Sequence, residues 1–328
     1  MVRSGFSPPD QRRPELVAVK NFLQFIRWPN LLIMALTMAM VRYCLLRPML
    51  AVNDITLQQG ELSFWLLVLS VVLIAAAGNM INDYHDVEAD QVNKGNKTMV
   101  GKVYSEETVM NLYMAFNGLA FVIAFYIAWE VDMWNLMLVQ VLAAGLLWFY
   151  SSAFKSMPVI GNLVVALLSA LVPLLTGVYE YIHEARNLEV FWFNFDFVWG
   201  YTLFAFLLTW IREMIKDMED YKGDLSAGYN TLPILAGIPF TKVFTTLVLG
   251  ATMVAIGMLM RLQQEAGDAI SATYFALLIE LPLLILALIT IQAKTPKSFH
   301  RASTLSKVIM LCGILYMLVI WHNLSYPI

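Results

Sequence analysis

The chain has 328 residues, of which 59% are hydrophobic and only 14% charged, with a mean hydropathy of +0.67. Soluble domains carry about a quarter charged residues, so this composition places the chain in a membrane. A net charge of −3 and a pI near 5.8 supply no basic field for nucleic acid, and the two cysteines, Cys44 and Cys312, lie in separate apolar segments, against a disulfide framework or a cysteine metal site.

Residues 1–20 are polar, basic and proline-bearing, without the apolar centre of a signal peptide, and read as a cytosolic tail. Residues 21–328 read as a single transmembrane domain, because no linker or low-complexity segment divides them. Within it, apolar runs long enough to cross a bilayer fall at 22–46, 63–81, 107–128, 134–153, 158–179, 193–215, 239–260, 271–292 and 304–323. The expected fold is therefore all-α, a polytopic bundle of nine transmembrane helices. With the N-terminus on one side, 17 of the 21 Lys and Arg residues fall on that side, and only Arg42, Arg47, Arg186 and Arg261 on the other. By the positive-inside rule the first side is cytoplasmic.

The cytoplasmic ends of the second and sixth runs carry the same acidic spacing. Asp83, Asp86 and Asp90 in NDYHDVEAD recur as Asp217, Asp220 and Asp224 in DMEDYKGD, each 134 residues later. Positions i, i+3 and i+7 share one face of a helix, so each triplet can present three carboxylates as a stripe. Six carboxylates at the edge of hydrocarbon repel one another and require a cation. Hard oxygen ligands suit Mg²⁺, and Mg²⁺ held by few carboxylates usually arrives with a phosphorylated substrate. A diphosphate site at a membrane surface is the expectation. The 134-residue offset suits a duplication without establishing one, because little else repeats in register.

Asn82 places an amide beside Asp83, and Arg212, Lys216 and Lys222 surround the second triplet. His85 and Glu219 point off the stripes and read as exposed neighbours. The turn after the fourth run, YSSAFKSMPVIGN, offers Tyr150, Ser151, Lys155 and Asn162 for phosphate or acceptor contacts. An interfacial tyrosine and a snorkelling lysine would need no function, and the residues leave both readings open.

NDYHDVEAD matches the first motif of the UbiA-type intramembrane prenyltransferases, Asn-Asp-x-x-Asp-x-x-x-Asp, and REMIKDMEDYKGD resembles their second. YSSAFKSMPVIGN is similar to the tyrosine and lysine segment between them, and FIRWPN to their Arg-x-x-Asn, which places Arg27 and Asn30. The resemblance implies a bundle around a central cavity that opens toward the cytosol and laterally to lipid. It implies that Asp83, Asp86, Asp90, Asp217, Asp220 and Asp224 hold Mg²⁺ on a prenyl diphosphate, with Asp83, Asp86, Asp217 and Asp220 catalytic. Arg27, Asn30, Asn82, Tyr150, Lys155, Arg212 and Lys216 would contact the donor or a lipophilic acceptor. No obligate protein partner is implied. VEADQVNKGNKTMVGK and KDMEDYKGDLSAGYNTLPILAG look most like the branch that makes digeranylgeranylglyceryl phosphate, whose acceptor is a prenylglyceryl phosphate, and Lys155 is the expected anchor for that second phosphate. An aromatic acceptor of quinone biosynthesis is the alternative. The single Asp-Gly, Ala-Arg motif of CDP-alcohol phosphotransferases is missing, and a transporter would place its acids nearer the bilayer midplane than these span ends.

Overall fold

In a computed structural model of the protein, residues 14–57, 59–87, 98–181 and 188–325 are described. Among them the chain is helical, with one isolated bridge between Val100 and Tyr104. The helices are α1 (Pro14–Phe25), α2 (Trp28–Ala51), α3 (Glu61–His85), α4 (Glu106–Glu130), α5 (Asn135–Ser152), α6 (Ile160–Tyr181), α7 (Leu188–Glu219), α8 (Tyr221–Ser226), α9 (Leu232–Ala236), α10 (Ile238–Glu265), α11 (Ala269–Gln292) and α12 (Pro296–Ser325). Eight of these, α2 to α6 and α10 to α12, are long and apolar enough to cross a membrane. The ninth expected run, 193–215, lies inside the 32-residue α7 but does not count among the eight. Its aromatic side chains are less apolar than aliphatic ones, and Asn194 and Asp196 lower its mean hydropathy further.

Local sequence sets several helix ends and bends. Ser105 caps α4 by accepting a hydrogen bond from the Thr108 amide at 3.2 Å, with Glu106 and Glu107 in the first turn favouring the dipole. Two π-turns, Val41–Leu46 in α2 and Ala276–Glu280 in α11, each run into a proline, Pro48 or Pro282. Proline has no N–H for the α ladder and its ring crowds the preceding turn, so widening that turn relieves both.

The apolar core has two halves joined by α2. Met38 of α2 packs with Phe64 and Leu67 of α3, Ile127 of α4, Leu136 of α5 and Leu175 of α6. Leu45, Leu46 and Leu50, further along α2, pack with α7, α10, α11 and α12 through Val198, Leu249, Leu283 and Met317. Glycines let helices approach closely, as expected where lipid supplies no hydrophobic drive for association. A Cβ on Gly78 of α3 would meet Leu147 of α5 at 2.8 Å, and one on Gly177 of α6 would meet Val198 of α7 at 2.8 Å. Each half-core thus contains one acidic helix, α3 or α7, with its triplet at the same end of the bundle.

Candidate active site

Both acidic helices break at the second aspartate of their triplet. Asp86 ends α3 with φ −92° and ψ 9°, and Asp220 ends α7 with φ −87° and ψ 3°. This sparsely populated bridge conformation recurs at many active sites. After the second break the amides of Gly223 and Asp224 donate to the Asp220 carbonyl at 2.9 and 3.1 Å and open α8. Asp217 thus lies in the last turn of α7, Asp220 at the break and Asp224 in α8, two helices where the sequence spacing predicted one. In the first triplet Asp83 and Asp86 occupy the last turn of α3, whereas Asp90, with Lys94 and Lys97, lies outside the described residues.

The first aspartate of each triplet is met by a side chain near the start of the preceding long helix. Arg27 donates to Asp83 at 2.5 Å and to Asn79 at 3.2 Å from the N-cap of α2, and Asn162 near the start of α6 donates to Asp217 at 2.8 Å. The two pairings are 56 and 55 residues apart in sequence, so the repeat extends to the helix that serves each motif. Asp86, buried, accepts from Asn82 at 2.7 Å and from the Tyr229 hydroxyl at 3.2 Å, and is ion-paired with Lys155. A cavity of about 220 Å³ opens beside it, lined by His85, Ser151, Ser152, Ala153, Lys155, Ser156 and Tyr229.

The turn that carries Lys155 is held from two sides. Asn230 donates its amide to the Ser156 carbonyl at 2.9 Å, and Gly161 lies so near that a Cβ there would meet the Phe154 carbonyl oxygen at 2.8 Å. Tyr150 has Glu213, Asp86, Asp217 and Arg27 as charged neighbours. Arg212 is ion-paired with Glu213, and Lys216 lies among Glu213, Asp220 and Arg27. Asn30 does not join this group: its side chain is exposed, and its described hydrogen bond runs from its backbone amide to the Arg27 carbonyl. Asn79 supplies the amide beside Arg27 instead. Two further expectations change. His85 is half-buried on the cavity wall, edge-on to Trp148, and Glu219 bonds His300 at 2.8 Å.

Charge at the mouth is unbalanced. Among the described residues, the carboxyl groups of Asp83, Asp86, Asp217, Asp220 and Asp224 outnumber the cations Arg27, Lys155 and Lys216 beside them. Burial would raise the Asp86 carboxyl, but the ammonium of Lys155, with Lys216 and Arg27 beyond, holds it below the usual range. For Asp224 the same Lys155 and Lys216 count for less. Burial, and then repulsion from Asp220, push it up to about 6. Among the described residues no three acidic side chains converge on one point as a preformed metal cage. Mg²⁺ is usually held by one or two carboxylates together with substrate phosphates, so an acid-rich mouth without a cage suits it.

The sequence profile of the UbiA prenyltransferase family matches residues 45–308. The chain belongs to this family. It is thereby an enzyme, an intramembrane prenyltransferase. It is 31% identical over 262 residues to a digeranylgeranylglyceryl phosphate synthase of Thermococcus kodakarensis, covering 79% of this chain and 86% of that one. It is 29% identical to the synthase of that name from Korarchaeum cryptofilum, covering 82% of this chain and 88% of the relative. Among solved structures, one described as giving insights into digeranylgeranylglyceryl phosphate synthase in membranes superposes with a TM-score of 0.61 at 21% identity, covering 92% of this chain and 98% of that one. A UbiA homolog from Archaeoglobus fulgidus bound to GPP and Mg²⁺ superposes with a TM-score of 0.57 at 16% identity, covering 91% and 99%. These two likenesses establish the UbiA fold.

Within that fold, sequence reasoning passed over Asn79, Glu213 and Tyr229. Asn79 and Glu213 had a signal: each lies four residues before the first aspartate of its motif, one helical turn along the stripe. Tyr229 had none, because its approach to Asp86 spans 143 residues.

Proposed function

We propose that the enzyme transfers a prenyl group from a prenyl diphosphate to the hydroxyl of a prenylglyceryl phosphate. The observation that carries this reading is the similarity to the Thermococcus synthase over 86% of that protein's length, joined to an acid-rich mouth at one end of the bundle. Asp83 and Asp86 from α3, with Asp217, Asp220 and Asp224 from α7 and α8, are the residues that would hold Mg²⁺, and Asp90 is proposed with them from its place in the motif. Bound there, Mg²⁺ supplies charge neutralisation to the diphosphate. Arg27 and Lys155 are the cations placed to pair with phosphate oxygens at the mouth, and Asn82 and Tyr229 keep the Asp86 carboxylate oriented.

In the reaction the carbon–oxygen bond of the donor breaks and its electron pair leaves with diphosphate. The allylic carbon then accepts an electron pair from the acceptor hydroxyl oxygen, and that hydroxyl loses its proton as the ether forms. Donors fixed around the leaving group act most strongly as charge develops on it, which is where Arg27 and Lys155 contribute to rate. The mouth faces the cytoplasm in this reading, as the basic-residue asymmetry implies. The test is a product assay with purified enzyme, a prenyl diphosphate and a panel of acceptors. Ether formation on the prenylglyceryl phosphate is expected. Transfer to hydroxybenzoate or dihydroxynaphthoate, with none to the glycerophosphate, would reject the acceptor and leave the prenyltransferase class intact.

A further inference from the structure

An acceptor that carries its own phosphate brings a second anion, and among the described residues Arg27 and Lys155 at the mouth are already assigned to the diphosphate end. Arg27 and Lys155 are committed to Asp83 and Asp86. Lys155, the anchor expected from sequence, is therefore part of the diphosphate end. A second group of cations lies deeper, along the seam between α7 and α12.

The antiparallel packing of these helices fixes their levels. His300 of α12 bonds Glu219 of α7 at 2.8 Å at the mouth end. Seven residues along α12, Lys307 lies about 10 Å deeper, and seven residues back along α7 Arg212 lies at the same depth. The i, i+4, i+7 stripe of α12 reads His300, Thr304, Lys307, all exposed on the bundle surface, while the neighbouring face of Ala302, Ser303, Ser306 and Ile309 is buried. Deeper still, Phe204 of α7 fills the notch above Gly313 of α12, where any Cβ would collide with its ring. The seam thus has a floor at Phe204 and a bridge at His300 and Glu219.

The charged neighbours of Lys307 are Arg212, Lys216, Glu213 and Arg27. Among the described residues Lys307 has no hydrogen bond or ion pair, and the buried Nε of Arg212 has no partner. Glu213 is ion-paired with Arg212 and is also the carboxylate nearest in influence to Lys307, while Lys216 lies between Arg212 and the second aspartate triplet in sequence. An unpaired lysine this far along a spanning helix is costly facing lipid, and such residues mark polar ligand paths. The two ends of the site have opposite bias. The aspartate mouth is rich in carboxylates, whereas at the α7–α12 seam Lys307 and Arg212 stand beside the carboxylate of Glu213.

We propose that Lys307 and Arg212 form a metal-independent subsite for the phosphate monoester of the acceptor, with Lys307 the specificity-determining residue. This rests on the glycerophosphate reading above. A phosphate held here leaves the rest of the acceptor to extend along the seam toward the mouth, so that its hydroxyl approaches the allylic carbon while diphosphate stays on the aspartates.

The test compares full-length wild type, Lys307→Met and Lys307→Arg. In the presence of EDTA and with no donor, equilibrium binding of a prenylglyceryl phosphate is measured in detergent micelles, with inorganic phosphate as competitor. Wild type should bind the lipid, Lys307→Met should weaken binding about tenfold or more, and Lys307→Arg should restore it to within a few-fold, as expected for one charge-assisted contact. Displacement by millimolar inorganic phosphate alone would show an anion site without lipid selectivity and overturn its assignment to the acceptor. In turnover with Mg²⁺, Lys307→Met should raise the KM for the acceptor and leave the KM for the donor unchanged. Equal rises in both KM values, or undiminished metal-free binding in Lys307→Met, would overturn the proposal. If wild type binds the glycerophosphate lipid through Lys307 yet transfers prenyl only to aromatic acceptors, the proposed reaction fails and the subsite stands.

Discussion

Arg27 reaches Asp83 from a left-handed backbone conformation, φ 56° and ψ 48°, that residues with a Cβ seldom adopt. The strain is local, and it places a guanidinium at the joint between α1 and α2 where Asn79 and Asp83 can both receive it. Outliers of this kind persist when surrounding contacts over-determine them, and they cluster at working sites. At this scale the aspartates make the sharpest prediction. Asp83→Asn and Asp217→Asn should each lower turnover by about 100-fold or more, because a neutral amide offers less charge to the cation that stabilises the leaving diphosphate. Both variants should remain folded, since each keeps an oxygen to accept from Arg27 or Asn162. Turnover with saturating substrates and the elution profile in detergent measure the two effects, and chelation of divalent metal should reproduce the loss in wild type.

The turn between α5 and α6 shows how an element sets a site. It carries Lys155 to Asp86 and starts the helix that carries Asn162 to Asp217, so one short segment serves both triplets. Gly161 is what lets the start of α6 lie against that turn, with backbone rather than a flexible side chain occupying the space a methyl would need. Gly161→Ala should therefore displace Lys155 and Asn162 together. The expected outcome is a stability loss of about 1–3 kcal/mol, typical of overpacking, with a fall in turnover larger than that of either Lys155→Met or Asn162→Ala alone. Thermal unfolding in detergent and steady-state turnover of the three variants would check it. If Gly161→Ala matched wild type in both, the turn would be free to move and the coupling of the two triplets through it would fail.

Across the whole molecule, the end of the bundle remote from the aspartates is closed by a buried ion pair. Arg42, 1% exposed on the π-turn of α2, pairs with Glu180 of α6, 0% exposed, at 3.2 Å, and lies over the Phe64 ring at 4.4 Å. Gln59, in the α2–α3 connection, donates its amide to the same Glu180 at 3.3 Å, so the pair fastens that connection to both half-cores. Removing the Glu180 carboxylate leaves the buried guanidinium with the Gln59 carbonyl and the more distant, exposed Glu61 carboxylate at 3.6 Å. Glu180→Leu should cost about 3–5 kcal/mol, and the double change with Arg42→Met should recover most of that loss, as read from unfolding temperatures in one detergent. A double variant no more stable than the single one would mean that the surrounding polar groups, rather than the pair, carry the stability. Orientation is also a property of the whole chain. With Cys44 and Cys312 replaced, cysteines at Lys102 and Lys222 should react with an impermeant reagent only from the cytoplasmic face. Labelling from opposite faces would separate the two motifs and end the shared-site reading.

What the sequence determined by itself was what repeats locally or accumulates along the chain. Composition set the membrane class, and helical spacing put Glu213 one turn before Asp217 and Asn79 one turn before Asp83, because a helix converts a fixed sequence interval into a fixed direction. The matched break at Asp86 and Asp220 was not visible there, although the 134-residue interval pointed to the same two places. Tertiary structure alone decided the partners: Tyr229 and Lys155 on Asp86, Asn162 on Asp217, Asn79 in place of Asn30 beside Arg27, and Lys307 at the level of Arg212. In sequence Lys307 is one more basic residue in an apolar run, and only the crossing of α7 and α12 gives it neighbours. Contacts between residues far apart along the chain follow from how whole helices pack, through glycine notches and shared cores, and no short-range pattern encodes that choice.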